Sequence, residues 1–285
     1  MTGAEGNQGQ PGIAGLLISH RGVFWGGLVL IAIILLAVFG PLITADPVAI
    51  NPMNRLKPPG IEGLFGTDML GRDVFSRVLN GARVSLTVGT AVALISVLVG
   101  LTLGLIAGYV RALDAVIMRV MDGLMSIPAI LLAIAMISLA GATLTTVVVA
   151  IVIPEIPRVV RLVRSVVLTV REEPYVEAAI ASGTRTLQIM VRHILPNTIA
   201  PLIVQATYIC GSAMLLEAIL GFLGAGIPPE IPSWGNIMSE GRTFFQLTPW
   251  IIFFPGLALA LTVLAVNFVG DGLRDTLDPR IARTM

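Results

Sequence analysis

The 285-residue chain is 55% hydrophobic and 12% charged, with a net charge of +1 and a mean hydropathy of +0.92. Soluble domains carry about twice that share of charge, so the composition excludes a soluble globular protein and fits a polytopic membrane protein. The arginines lie between apolar runs rather than in a patch, which speaks against nucleic acid, and Cys210 is the only cysteine, which excludes an intrachain disulfide or a thiolate metal site.

A bilayer core of about 30 Å needs roughly 20 apolar residues per helix. The N-terminus, MTGAEGNQGQPGIAG, is polar and Gly-rich and is expected to be disordered through residue 21. The first apolar run, 22–45, is too long for a signal-peptide core and lacks a basic flank, so it is expected to be a retained span. A Pro- and Gly-rich loop, 44–83, follows and ends in LFGTDMLGRDVFSRVLNGARVSL. Further spans are expected at 85–109, 116–140, 144–163, 199–222 and 249–269, giving six in all. The fourth is interrupted in its second half by Pro154, Glu155, Pro157 and Arg158. A second external segment, 224–248, contains IPPEIPSWGNIM.

With the N-terminus inside, twelve arginines fall on the cytoplasmic side and six basic residues outside. The positive-inside bias therefore expects both termini in the cytoplasm. Five of the six external charges lie in the long first loop, and long loops translocate with less regard to charge.

The segment 172–196 is then a cytoplasmic insert between two spans. Glu172 and Glu173 precede Pro174, a good opening for a helix that can run to Ser182 and stop at Gly183. A second helix is expected from Thr184 to a stop before Pro196, with Leu187, Met190, Val191 and Ile194 on one apolar face. Glu177 is expected to fix the first helix by pairing with an arginine or a backbone amide. On these residues alone the insert is either a low-profile surface for another protein or an amphipathic helix on lipid headgroups.

Charges inside spans are costly and informative. Arg119 with Asp122, and Glu155 with Arg158, have the spacing of structural ion pairs. Gln205, Tyr208 and Ser212 share a helical face and are the candidate pathway wall. Glu217 in the same span is either a further pathway residue or an interhelical hydrogen-bonding group. The only lysine, Lys57, precedes Pro58, so no phosphate-binding Gly-Lys-Ser/Thr loop exists here. His20 and His193 are the only histidines, and no nucleophile–base set is evident within the spans. A membrane enzyme lacks support on these grounds, and a channel would have to operate without ATPase partners.

Glu177-Ala178-Ala179, three residues, Gly183, nine residues, then His193-Ile194-Leu195-Pro196 resembles the EAA loop of ABC importer permeases, with His193 where the general pattern has isoleucine. The blocks FGTDMLGRDVFSRVLNGARVSL, MRVMDGLMSIP, GFLGAGIPPEIPSWGNIM and FPGLALALTVLAVNFVGDGLRDTLDPR are similar to the C-type permease for dipeptides and oligopeptides. The resemblance implies an all-α membrane protein with six spans. Residues 84–274 would be a type I ABC transmembrane domain with coupling helices at 172–196. Residues 22–83 would be an N-terminal addition, and 275–285 a cytoplasmic tail. It implies an ATPase-coupling role for Glu177, Ala178, Ala179, Gly183, His193, Leu195 and Pro196. It further implies that the chain carries no cofactor, is not an enzyme and sits in the bacterial inner membrane. Expected partners are a B-type sister permease, one or two ATPases holding ATP and Mg, and an external solute-binding protein. Glutathione, nickel chelates and haem are the expected alternatives to a peptide solute.

Overall fold

The computed structural model describes residues 21–60 and 63–277, and the expectations for residues 1–20 and 278–285 lie outside them. The apolar runs fold into helices, joined by loops with two isolated β-bridges and no strand among the described residues. Helix α1 is Arg21–Ile43. Helix α2 is Val74–Tyr109, which at 1.5 Å per residue is about 54 Å long, more than a bilayer core needs. It begins at Val74 rather than at the expected 85, because Asp73 caps it by accepting a hydrogen bond from Ser76 N at 2.8 Å. Its first turns therefore stand outside the apolar layer.

The third expected span is not one helix. Helices α3, Arg111–Met125, and α4, Ala129–Ala140, meet at 86°. Pro128 accounts for the break: it lacks an N–H and pushes Ile127 out of the helical region. Helix α5, Leu144–Val170, by contrast runs through Pro154 and Pro157 without interruption. Thr143 caps it through Thr146 N. The insert contains α6, Pro174–Ala181, and α7, Thr186–Ile189. A π-turn, Met190–Ile194, then leads directly into α8, Leu195–Phe222. Helix α9 is Trp234–Gly241 and α10 is Trp250–Leu277, extending past the expected end at 269.

The expected stop before Pro196 is overturned. In the π-turn the Leu195 N–H reaches back to Met190 O, so the ladder is already shifted when proline arrives. Pro196 then occupies the opening of α8, where no amide donor is required.

Four helical segments are long and apolar enough to cross a membrane: 22–43, 74–109, 186–222 and 250–276. The bent α3–α4 pair makes a fifth if it is one span. Helix α5, about 40 Å long, is not among them: Glu155, Arg158, Arg161 and Arg164 lower its apolar character, so the expected sixth span is not met by length and composition.

Two apolar clusters hold the helices together. One joins α2, α4, α5 and α8 through Val92, Ile137, Val159, Val163 and Ile209. The other joins α1, the outer half of α2, α8, α9 and α10 through Ala37, Val74, Met214, Trp234 and Ile251. Trp234 Nε1 donates to Val78 O at 3.0 Å, which satisfies the one polar atom of a fully buried indole.

Candidate functional site: an insert between helices and a cavity in the bundle

Gly183 has φ +76°, the left-handed region open to glycine. Thr184 N bonds Ala179 O at 3.1 Å and Gly183 N bonds Ile180 O at 2.9 Å. That pair of bonds is a Schellman motif, which closes the orphan carbonyls of α6 and turns the chain toward α7. Val176, Ile189 and Ile194 are fully buried and join the cluster that includes Val167 and Val170 at the end of α5. The insert is therefore anchored on its inner side to the C-terminal end of α5.

Its outer side remains open. Glu177, Ala178, Gly183 and Pro196 are exposed, while Ala179, His193 and Leu195 are half-buried. Leu187 is 71% exposed and Val191 55%, so the expected apolar face divides. Ile194 with Ile189 turns inward, Met190 is half-buried, and Leu187 and Val191 turn outward. The π-turn explains the division, since its wider repeat rotates residues off the 3.6-residue face. Tyr175 and His193 stand with ring centroids 6.1 Å apart, and Asn197 Nδ2 donates to Tyr175 Oη at 3.4 Å, contacts that bridge α6 to the π-turn and the start of α8. Glu177 makes no ion pair or side-chain hydrogen bond among the described residues, so the expected fixing contact is absent there.

Deeper in the bundle, a cavity of about 280 Å³ opens between α5, α8 and α10. Gln205, Tyr208 and Ser212 all line it, together with Arg158 and Asn267. Tyr208 Oη donates to Asp271 Oδ1 at 2.5 Å, which ties α8 to α10. Glu217 does not line the cavity. It is fully buried between α2 and α8, where Ser85 Oγ donates to it at 3.0 Å. Of its two expected roles, the geometry gives the interhelical hydrogen bond.

The two expected ion pairs fare differently. Arg158 Nη1 lies 3.2 Å from both carboxylate oxygens of Glu155. Arg119 and Asp122 do not pair. Asp122 instead accepts from Arg161 Nη2 at 2.6 Å, and Asp114 accepts from Arg164 through two nitrogens at 2.5 and 2.7 Å. The bend after Met125 lays α3 along α5, and partners across helices displace the neighbour on the same helix.

The GTDMLGRDVFSR block before and within the start of α2 has a physical role that sequence reasoning missed. Asp68 and Arg77 are fully buried. Arg72 Nε and Arg77 Nη1 each lie 2.6 Å from Asp68 Oδ2, and both arginines reach Glu240 Oε2 of α9 at 2.5 Å. Two guanidinium groups against two carboxylates make a neutral cluster that ties the first loop and the start of α2 to α9. Such a cluster holds only if its hydrogen bonds are nearly complete.

The comparisons with known proteins agree on a family. Residues 100–283 match the profile of the binding-protein-dependent transport system inner membrane component, and residues 16–59 match the N-terminal transmembrane domain of oligopeptide transport permease C. A probable peptide ABC transporter permease protein of Sinorhizobium fredii is 55% identical, the match covering 93% of this chain and 91% of that one. A dipeptide transport system permease protein of Alkalihalophilus pseudofirmus is 46% identical over 90% of this chain and 85% of its own. The oligopeptide transport system permease protein of Bacillus subtilis is 36% identical over 93% and 88%. Among solved structures, an inward-facing MetNI methionine ABC transporter chain matches with a TM-score of 0.58 at 20% identity, covering 71% of this chain and 96% of that chain, which is a likeness of fold. With more than half its length matched by one family profile and three such relatives, the chain belongs to the binding-protein-dependent transport system inner membrane components, the permease subunits of ABC importers.

Proposed function

We propose that this permease forms half of the translocation pathway for di- or oligopeptides and is driven by ATP hydrolysis on separate cytoplasmic subunits that grip the insert 172–196. The carrying observation is the insert itself. Its inner residues are locked to α5 and α8, and its outer face presents Ile180, Leu187 and Val191 to solvent. Exposed apolar side chains on a rigid, small-residue scaffold fit a protein groove. A lipid-surface helix fits less well, because the Schellman turn and the π-turn fold the two short helices against the bundle.

Glu177, Ala178, Ala179 and Gly183 form one edge of this contact, and His193, Leu195 and Pro196 set the exit into α8. The relatives named for peptides favour that solute class over glutathione, nickel chelates or haem. The assembly would add a B-type sister permease, one or two ATPases carrying ATP and Mg, and an external solute-binding protein. It would lie in the bacterial inner membrane with both termini cytoplasmic.

Affinity purification of the tagged chain from membranes tests this reading. Recovery of nucleotide-binding subunits in stoichiometric amount, together with peptide uptake that stops when ATP is depleted, is the expected result. Solute flux that persists without ATPase partners would point to a channel.

A further inference from the structure

Building on the peptide-import reading, we propose that Arg158, with Gln205 and Asn267, forms a binding site for the solute's carboxylate in the cavity between α5, α8 and α10. Arg158 makes the longest of the ion pairs among the described residues, 3.2 Å, against 2.5–2.6 Å for the others. The side chain of Arg158 is 55% exposed, while that of its partner Glu155 is 7% exposed. Only Nη1 is engaged with Glu155. Nη2 and Nε make no hydrogen bond among the described residues. Those two N–H groups form the planar fork that meets a carboxylate with two parallel bonds.

The rest of the cavity suits the same ligand. Among the described residues Arg158 is the one charged residue in its lining, with Glu155 and Asp271 behind the wall on Arg158 and Tyr208. The side-chain amides of Gln205 and Asn267 border it and have no hydrogen bond among the described residues. Each amide offers both donor and acceptor atoms, enough to meet the second carboxylate oxygen and the adjoining peptide N–H. At about 280 Å³ the space is at the lower limit of ordinary small-ligand pockets, so it holds one end of a peptide rather than a whole one.

Glu155 has a part in this. A guanidinium with no carboxylate beside it would hold an anion more tightly than one already paired. A translocation site must bind well enough to admit its solute and weakly enough to release it. Glu155, buried beside Arg158, competes for the same guanidinium and keeps the solute's carboxylate exchangeable.

The test compares uptake of alanyl-alanine and alanyl-alanine amide by the complete transporter, as the ratio of the two rates in each variant divided by the wild-type ratio. The external binding protein's own preference then cancels. Arg158→Gln is expected to lower the acid-to-amide ratio by at least about tenfold, the worth of a charged hydrogen-bonded pair. The double variant Glu155→Gln/Arg158→Gln removes any orphaned buried charge and is expected to keep the lowered ratio. A ratio at the wild-type value in either variant overturns the proposal: Arg158 then only neutralises Glu155. If the wild-type transporter imports neither this pair nor the tetra-alanine acid and amide used in its place, the peptide reading itself fails and takes this site with it, a result distinct from an unchanged ratio.

Discussion

Gly104 lies directly against Val163: a β-carbon built on the glycine would stand 2.6 Å from Val163 Cβ. The contact repeats one turn away on either side, with Gly100 against Val159 at 2.4 Å and Gly108 against Val167 at 2.6 Å. Three glycines at four-residue spacing thus form a groove along α2 into which a valine ridge of α5 fits, the close packing that small residues allow between membrane helices. Since α5 leads into the insert 172–196, this seam joins that insert to the bundle.

Gly104→Val is therefore expected to force α2 and α5 apart and lower stability by about 1–3 kcal/mol, the usual cost of overpacking. Thermal unfolding in detergent measures it. Gly123, beside which a β-carbon meets nothing within 4 Å, provides the comparison as Gly123→Ala. Equal unfolding temperatures for Gly104→Val and wild type would remove the seam from the account.

The cluster of Asp68, Arg72, Arg77 and Glu240 makes a second prediction. Arg77→Ala leaves Asp68 and Glu240 sharing one guanidinium in a buried place and is expected to cost about 3–5 kcal/mol. Exposed Arg83, replaced by alanine, is expected to change stability by no more than about 0.5 kcal/mol. Denaturation of the two variants side by side checks the contrast, and comparable losses would mean that the cluster adds nothing beyond surface pairing.

Much of this was legible in the sequence, and the failures have physical reasons. Hydropathy located four of the six expected spans, and the bent α3–α4 pair as a fifth, because every backbone group in a bilayer must be satisfied within a helix. Gln205, Tyr208 and Ser212 reached the cavity together because they share one face of α8. The Arg161–Asp122 and Arg164–Asp114 pairs were not legible, since they depend on the 86° bend between α3 and α4. Pro128 signalled a break but not its angle. Glu240 lies 168 positions from Arg72, and nothing in local spacing joins them. The Gly100, Gly104 and Gly108 series was in plain view and went unread.

Within the cavity, Gln205→Ala and Ser212→Ala are expected to slow uptake without reordering preference among peptides that all carry a free carboxylate. The groups lost there meet features those peptides share. Competition uptake assays check this, and a reordered preference in either variant would assign side-chain selection to the pathway.

For topology, alkaline phosphatase fused after Met285 is expected to be inactive, and a fusion near Pro58 active. The reverse pattern would move the insert to the outer face and end its coupling role.

The coupling role is tested most directly at Gly183. Nothing else in this chain lies within 4 Å of a β-carbon placed there, so within the chain a substitution acts through backbone conformation, at φ +76°. Valine in that region is unfavourable by about 1–2 kcal/mol, enough to open the Schellman turn without touching the spans. Glu177→Ala is expected to weaken coupling more mildly, through the outer face, because Glu177 has no intramolecular partner among the described residues. Gly89→Val is the control for packing damage, since a β-carbon there would stand 2.7 Å from Met214 Cγ and 3.0 Å from Cys210 O. The measurement is peptide uptake by Gly183→Val at matched membrane abundance, read together with ATPase recovery on detergent pull-down. The account predicts normal abundance, uptake lost and ATPase recovery reduced; normal uptake at normal abundance would contradict it, leaving the insert a surface helix.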